Sequence, residues 1–170
     1  MSEWIQNIRR NHALEHATVQ LMLARLGPTF HLVGRAASDG FFIYGAIPAD
    51  VLTECAHEAL TRLKGGESYW AITPLCGTNI VVTGMLSSLA TIAVMKTARK
   101  GKWDKAMTAS TFAVVLARPL GRWLQRYTTS ADLDRTEIVG LEHRSQRLFK
   151  VVTRQVARES AIPDLISISL

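Results

Sequence analysis

Apolar residues along the first 26 positions recur in steps of three and four. Ile5, Ile8, His12, Glu15/His16, Val19, Leu23 and Leu26 fall on one helical line. Ser2, with Glu3 in the first turn, supplies a start signal and Gly27-Pro28 a stop, so the pattern predicts a helix over 2–26. The period then shortens to two. Phe30–Arg35 and Phe41–Tyr44 read as short strands joined through Asp39-Gly40, a hairpin turn signal. Pro48 opens a second helix with an apolar face of Leu52, Cys55, Ala56, Ala59, Leu60 and Leu63, ending at Gly65-Gly66. Tyr69–Thr73 reads as a third strand, closed by Pro74.

After Glu67 the alternation of polar and apolar positions disappears. The next 28 residues, up to Lys96, contain no Asp, Glu, Lys or Arg. About 20 such residues cross a bilayer as a helix. A second uncharged run, Ala106 to Ala117, is shorter, at twelve residues. It lengthens if Lys105, Arg118 and Arg122 extend their heads to the interfaces beside Trp103 and Trp123. Helices over 78–96 and 106–124 are therefore expected to form a transmembrane hairpin. Beyond it, Thr136–Glu142 and Arg147–Arg154 flank His143-Arg144-Ser145-Gln146 and read as a β-hairpin, followed by an unassigned apolar end. The expected fold is α+β. It comprises a small α-β-β-α-β domain over 1–75, a two-helix transmembrane hairpin over 76–126, and a C-terminal β-hairpin and tail over 127–170.

Composition narrows the classes. Hydrophobic residues make up 48% and charged residues 20%, too apolar for a disordered chain. Residues 1–95 hold six basic and seven acidic side chains, whereas residues 96–170 hold fourteen and seven. A uniformly basic nucleic-acid-binding domain would not divide this way, so nucleic acid is excluded as a partner. Basic residues beside membrane helices suit anionic headgroups instead. The expected partners are the lipid bilayer and other membrane-protein subunits. The start of the chain lacks a charged segment followed by an apolar one, and the two cysteines suggest no disulfide framework. Both favour an inner-membrane protein with its soluble part on the cytoplasmic face. The basic loop after Lys96 pulls the other way, and Arg62, Lys64, Arg118, Arg122 and Arg126 nearly cancel it.

Candidate chemistry lies in His12-Ala13-Leu14-Glu15-His16, an H-x-x-E-H sequence. Two histidines four apart present both rings on one side of a helix, where a metal can bridge them. Glu15 stands beside the pair, placed to accept a proton from a water that the metal acidifies. An ionisable trio on an otherwise apolar stripe costs several kcal/mol unless it is paired or metal-bound. The competing reading is a hydrogen-bonded core cluster. A zinc site needs a third protein ligand. Cys76, in P-L-C-G-T-N, is the first candidate; its other role would be a small apolar residue. Glu54, His57 and Glu58 have ligand spacing but lie opposite the apolar face of their helix and read as solvated. No G-x-S-x-G elbow and no Walker or Rossmann phosphate loop is present.

N-H-A-L-E-H resembles the inverzincin peptidases, in which two histidines bind zinc and the glutamate is the base. That resemblance implies His12 and His16 as ligands and Glu15 as base. The inverzincins take their third ligand from a downstream glutamate, and this chain has no acidic residue between Glu67 and Asp104. A broader set of pieces, N-H-A-L-E-H-A-T at 11–18, G-F-F-I-Y-G at 40–45, C-G-T-N at 76–79 and A-R-P-L-G-R-W-L-Q-R at 117–126, resembles an uncharacterised bacterial family of small membrane proteins carrying a domain of unknown function. It implies two membrane helices. The expected function is a membrane-anchored, zinc-dependent hydrolase of peptidase type. The alternative is a non-catalytic accessory subunit of a membrane complex with a structural His/Glu cluster.

Overall fold

The computed structural model describes residues 2–27 and 29–156. Pro28 of the expected helix stop and the apolar end of the chain, 157–170, lie outside them. The elements are α1 (Glu3–Leu26), β1 (Val33–Ala37), β2 (Gly40–Tyr44), α2 (Ala49–Lys64), a short 3-10 helix (Ser68–Ala71), α3 (Gly77–Thr97), α4 (Lys102–Thr128), β3 (Thr136–Ser145) and β4 (Leu148–Gln155). All strands pair antiparallel in one sheet of order β1-β2-β4-β3. The C-terminal hairpin thus inserts β4 beside β2 and completes the sheet begun near the N-terminus. The architecture is mixed α+β.

Helices α1 and α2 cover one face of that sheet. Leu14, Ala17, Leu21 and Met22 of α1 meet Leu52, Cys55, Ala59 and Leu63 of α2. Phe41, Ile43, Phe149 and Val151 rise from the two central strands. Fully burying each large apolar side chain contributes about 1.5–3 kcal/mol. The apolar line read from the sequence of α1 only partly faces this core: Val19 belongs to it and Leu23 and Leu26 pack against it. Ile8, His12, Glu15 and His16, with the edges of Val19 and Leu23, also line a cleft. The middle of α1 is enclosed on both sides, which a single amphipathic stripe does not anticipate.

Two expectations fail. Tyr69–Thr73 is not a strand. Glu67 accepts hydrogen bonds from Tyr69 Oη and Trp70 Nε1, winding the segment into one 3-10 turn. The Trp70 and Ala71 carbonyls are then taken by Gln20 and His16 of α1 rather than by a neighbouring strand. The two-helix transmembrane hairpin is the second failure. Helices α3 and α4 do lie against each other, but α3 is the one helix among the described residues long and apolar enough to cross a membrane. In α4 the uncharged run between Lys105 and Arg118 has twelve residues, about 18 Å of helix against a hydrocarbon core of about 30 Å. Pro119 also interrupts its backbone bonding.

The turn into β2 requires Gly40. Its φ is +143°, and a Cβ there would lie 2.0 Å from the Val151 carbonyl oxygen of the paired strand. Gly40→Ala should therefore lower unfolding stability by at least about 2 kcal/mol. Equilibrium denaturation of the two proteins checks it.

Candidate metal centre

Four chain segments converge on one turn of α1. His12 and His16 project from it with ring centroids 4.3 Å apart. His12 Nδ1 donates to the Thr128 carbonyl at the end of α4, at 3.1 Å. His16 Nδ1 donates to the Ala71 carbonyl of the 3-10 turn, at 2.7 Å. A ring nitrogen that donates to a backbone carbonyl fixes the tautomer and leaves Nε2 as the free donor atom. Cys76, the residue preceding α3, brings its Sγ to 3.5 Å from His12 Nε2. One nitrogen of each ring and this sulfur all lie within 4.8 Å of one another. Tetrahedral zinc with bonds near 2.0–2.3 Å separates its donor atoms by about 3.3–3.6 Å, so the group needs to close by at most about 1.5 Å. His12, His16 and Cys76 are close enough to hold a metal ion.

The fit rests on a specific observation. His16 is 2% exposed, and its Nε2 is buried with no hydrogen-bond partner. Leaving such a nitrogen desolvated and unpaired costs about 1–3 kcal/mol, a penalty a metal–nitrogen bond would remove. The donor set is borderline-soft, two imidazoles and a thiol, which favours zinc and related transition metals over magnesium or calcium.

Electrostatics agree with the geometry. Burial pushes the Cys76 thiol up. The His12 hydrogen bond, with the neighbouring His16 ring and Thr78, outweighs it and brings the thiol down to about 5. Burial likewise pushes the His12 ring down, while the hydrogen bonds to Cys76 and to the Thr128 carbonyl raise it overall. The two shifts run in the direction that pairs a thiolate with a ring proton; metal binding would keep the thiolate and compete with that proton.

Glu15 stands apart from the donor group. Its Oε2 is 3.9 Å from His12 Nε2. Burial raises its carboxyl above the ordinary range, against the opposing pull of His16 and His12. Gly34 of β1 makes room for it, since a Cβ there would sit 1.9 Å from Glu15 Oε1. The site opens into a cleft of about 790 Å³, walled by Ile8, Val19, Leu23, Phe30 and Ile80.

The sequence-predicted residues thus come together: His12, His16 and Cys76 as one group, Glu15 at its edge. Glu54 and Glu58 pair with Arg25 on the outer side of α2, as expected of a solvated face. Sequence reasoning missed the residues that hold the site in place. Gln125 of α4 is fully buried and clamps Thr73, accepting from its N–H and donating to its carbonyl, each at 2.9 Å. Gln125 Nε2 also donates to Asn79 Oδ1 of α3. Asn11, equally buried, donates to the Ala37 carbonyl of β1 and accepts from Thr153 of β4. The signal for Asn11, Asn79 and Gln125 was their presence within quoted motifs; nothing in their spacing revealed a role.

Gln125→Ala should cost about 1–3 kcal/mol of stability, because it leaves the Thr73 N–H buried without a partner and its carbonyl with only the longer bond from Asn79. Thermal unfolding measures it. Gly34→Ala should displace the Glu15 carboxylate while leaving the His12, His16 and Cys76 donors intact; metal affinity close to wild type, measured against a competing chelator, would accompany that change.

Comparison with known proteins adds family but not activity. A protein of Picosynechococcus described as uncharacterised is 33% identical over 135 residues, covering 73% of this chain and 66% of that protein. The match therefore spans slightly under two thirds of the relative's own length. No solved structure matches the chain. The family model of the domain of unknown function DUF6391 matches residues 7–141, and the chain belongs to that family.

Proposed function

We propose that the protein is a membrane-associated, metal-dependent hydrolase acting on an apolar substrate such as a peptide. The observation that carries the reading is the buried, unpartnered His16 Nε2, converging with His12 Nε2 and Cys76 Sγ at the base of an open cleft. Three protein ligands and an open side are the pattern of a catalytic rather than a structural zinc site. A bound zinc ion would acidify a water and polarise a carbonyl. Glu15 lies beside the group without belonging to it, and its burial makes its carboxylate a stronger base than an ordinary one. The apolar part of the cleft wall, from Ile8, Val19, Leu23, Phe30 and Ile80, favours apolar chains. The exposed apolar surface of α3, including Ile80, Val81, Met85 and Leu89, supports association with lipid.

Metal analysis of the purified protein should find close to one zinc per chain, and His16→Ala should abolish it. Cobalt substitution should give a thiolate-to-metal charge-transfer band that Cys76→Ser removes. Metal-free protein purified with adequate zinc would refute the site. Glu15→Gln separates catalysis from structure. It should retain the metal and most of the stability while losing hydrolysis of peptide or ester substrates.

A second reading, a non-catalytic subunit of a membrane complex, is favoured by the breadth of the apolar surface on α3 and α4. Under it, Glu15→Gln should cost about 1–3 kcal/mol with no activity to lose. Thermal unfolding beside an activity screen decides between them.

A further inference from the structure

A second cavity of about 790 Å³ lies in the crevice between α3 and α4, on the other side of Ile80 from the metal cleft. Its chemistry differs. Arg118 and Arg122 line it from α4, and Asn79, Thr83 and Gly84 line it from α3. The two arginines are four residues apart, one helical turn, so their charges are neighbours and repel each other. Among the described residues neither forms an ion pair. No acidic residue occurs between Asp104 and Asp132, and α3 has none, so the crevice is strongly electropositive.

Part of its wall is apolar. Ile80 and Val114 flank the arginines and are exposed, and the surface continues along α3 through Val81 and Met85. Gly84 leaves the space open, since a Cβ there would meet no atom within 4 Å. Lower down, α4 closes on α3 at Gly121, where a Cβ would lie 2.1 Å from Asn79 Oδ1. The crevice therefore has a floor, two guanidiniums at its rim and a greasy flank.

We propose that this crevice binds one anionic phospholipid, with Arg118 and Arg122 on the phosphate and the acyl chains along Ile80, Gly84 and Val114. Planar guanidiniums meet phosphate oxygens in paired, charge-assisted hydrogen bonds, which suits two arginines better than two lysines. An anion between them also relieves their mutual repulsion. Charge complementarity selects the acidic head, and the apolar flank selects a ligand with chains over free phosphate. The site is independent of the metal reading.

The test uses full-length protein in neutral detergent, titrated with dioctanoyl phosphatidylglycerol, dioctanoyl phosphatidylcholine or inorganic phosphate and read by native mass spectrometry. One saturable phosphatidylglycerol per chain is expected, bound more tightly than phosphatidylcholine and not displaced by equimolar phosphate. Arg118→Gln and Arg122→Gln should each weaken it about tenfold, the loss of a charge-assisted bond. Gly84→Leu keeps both charges and fills the crevice; it should weaken binding as well. Wild-type affinity in the double Arg→Gln variant, or equal affinity for phosphatidylcholine, would overturn the proposal. Phosphate that binds alone as tightly as the lipid would overturn the lipid assignment and make this a free-anion site.

Discussion

One turn of α1 carries Asn11, His12, Glu15 and His16 into the interior, and much of the fold consists of partners for them. A buried polar atom without a partner costs more than a typical hydrogen bond returns, so each of these side chains dictates where another segment lies. Asn11 fixes the end of β1 and, through Thr153, β4. His16 fixes the 3-10 turn. His12 fixes the end of α4 and the start of α3. The sheet, the turn and the helical arm meet here for that reason, although the apolar core lies on another side of the helix. His16 Nε2 is the member of the set that the protein itself does not satisfy.

The arm obeys a different rule from the body. In the body, large apolar side chains point inward and charge points out. In α4 the buried positions are Ala106, Ala113, Ala117, Gly121 and Gln125, whereas Met107, Phe112, Val115 and Leu116 are exposed. Small residues inside let the two helices approach closely, and large ones outside leave an apolar exterior. Water gives no reason for that arrangement; lipid or a protein partner does. The clamp of Gln125 on Thr73 couples the two rules, because it ties the inner edge of the arm to the segment that delivers Cys76.

Much of the body was legible from periodicity. The helix after Pro48, the Asp39-Gly40 hairpin and the C-terminal hairpin all follow from local pattern and turn chemistry, which depend on near neighbours in sequence. The insertion of β4 beside β2 was not legible, because strand order is decided by contacts about a hundred residues apart. The stripe on α1 was read correctly as a face, but it serves two surroundings, the core at Val19, Leu23 and Leu26 and a cleft at its N-terminal part. Its apolar members wall a cleft, and a cleft wall and a core wall have the same hydropathy. The pairing of His12 and His16 was legible because a spacing of four puts both rings on one side of a helix, and Cys76 was singled out because the chain has only one other cysteine. The 3-10 turn was misread because Tyr69 and Trp70 look like strand residues until Glu67 is seen to hold both.

The position of Glu15 bears on what the centre is for. A carboxylate meant only to neutralise two histidines would be expected within hydrogen-bond distance of one of their nitrogens. At 3.9 Å from His12 Nε2 it is too far for that bond, and both Nδ1 atoms are already committed to backbone carbonyls. The β1 backbone supports that placement: at Gly34 any side chain would collide with the carboxylate, so the strand approaches α1 closely enough to confine Glu15 without ligating anything. Two histidines and a cysteine close enough to hold a metal ion, and a buried carboxylate beside them without a hydrogen bond to either ring, are the groups on which the proposed hydrolysis would draw.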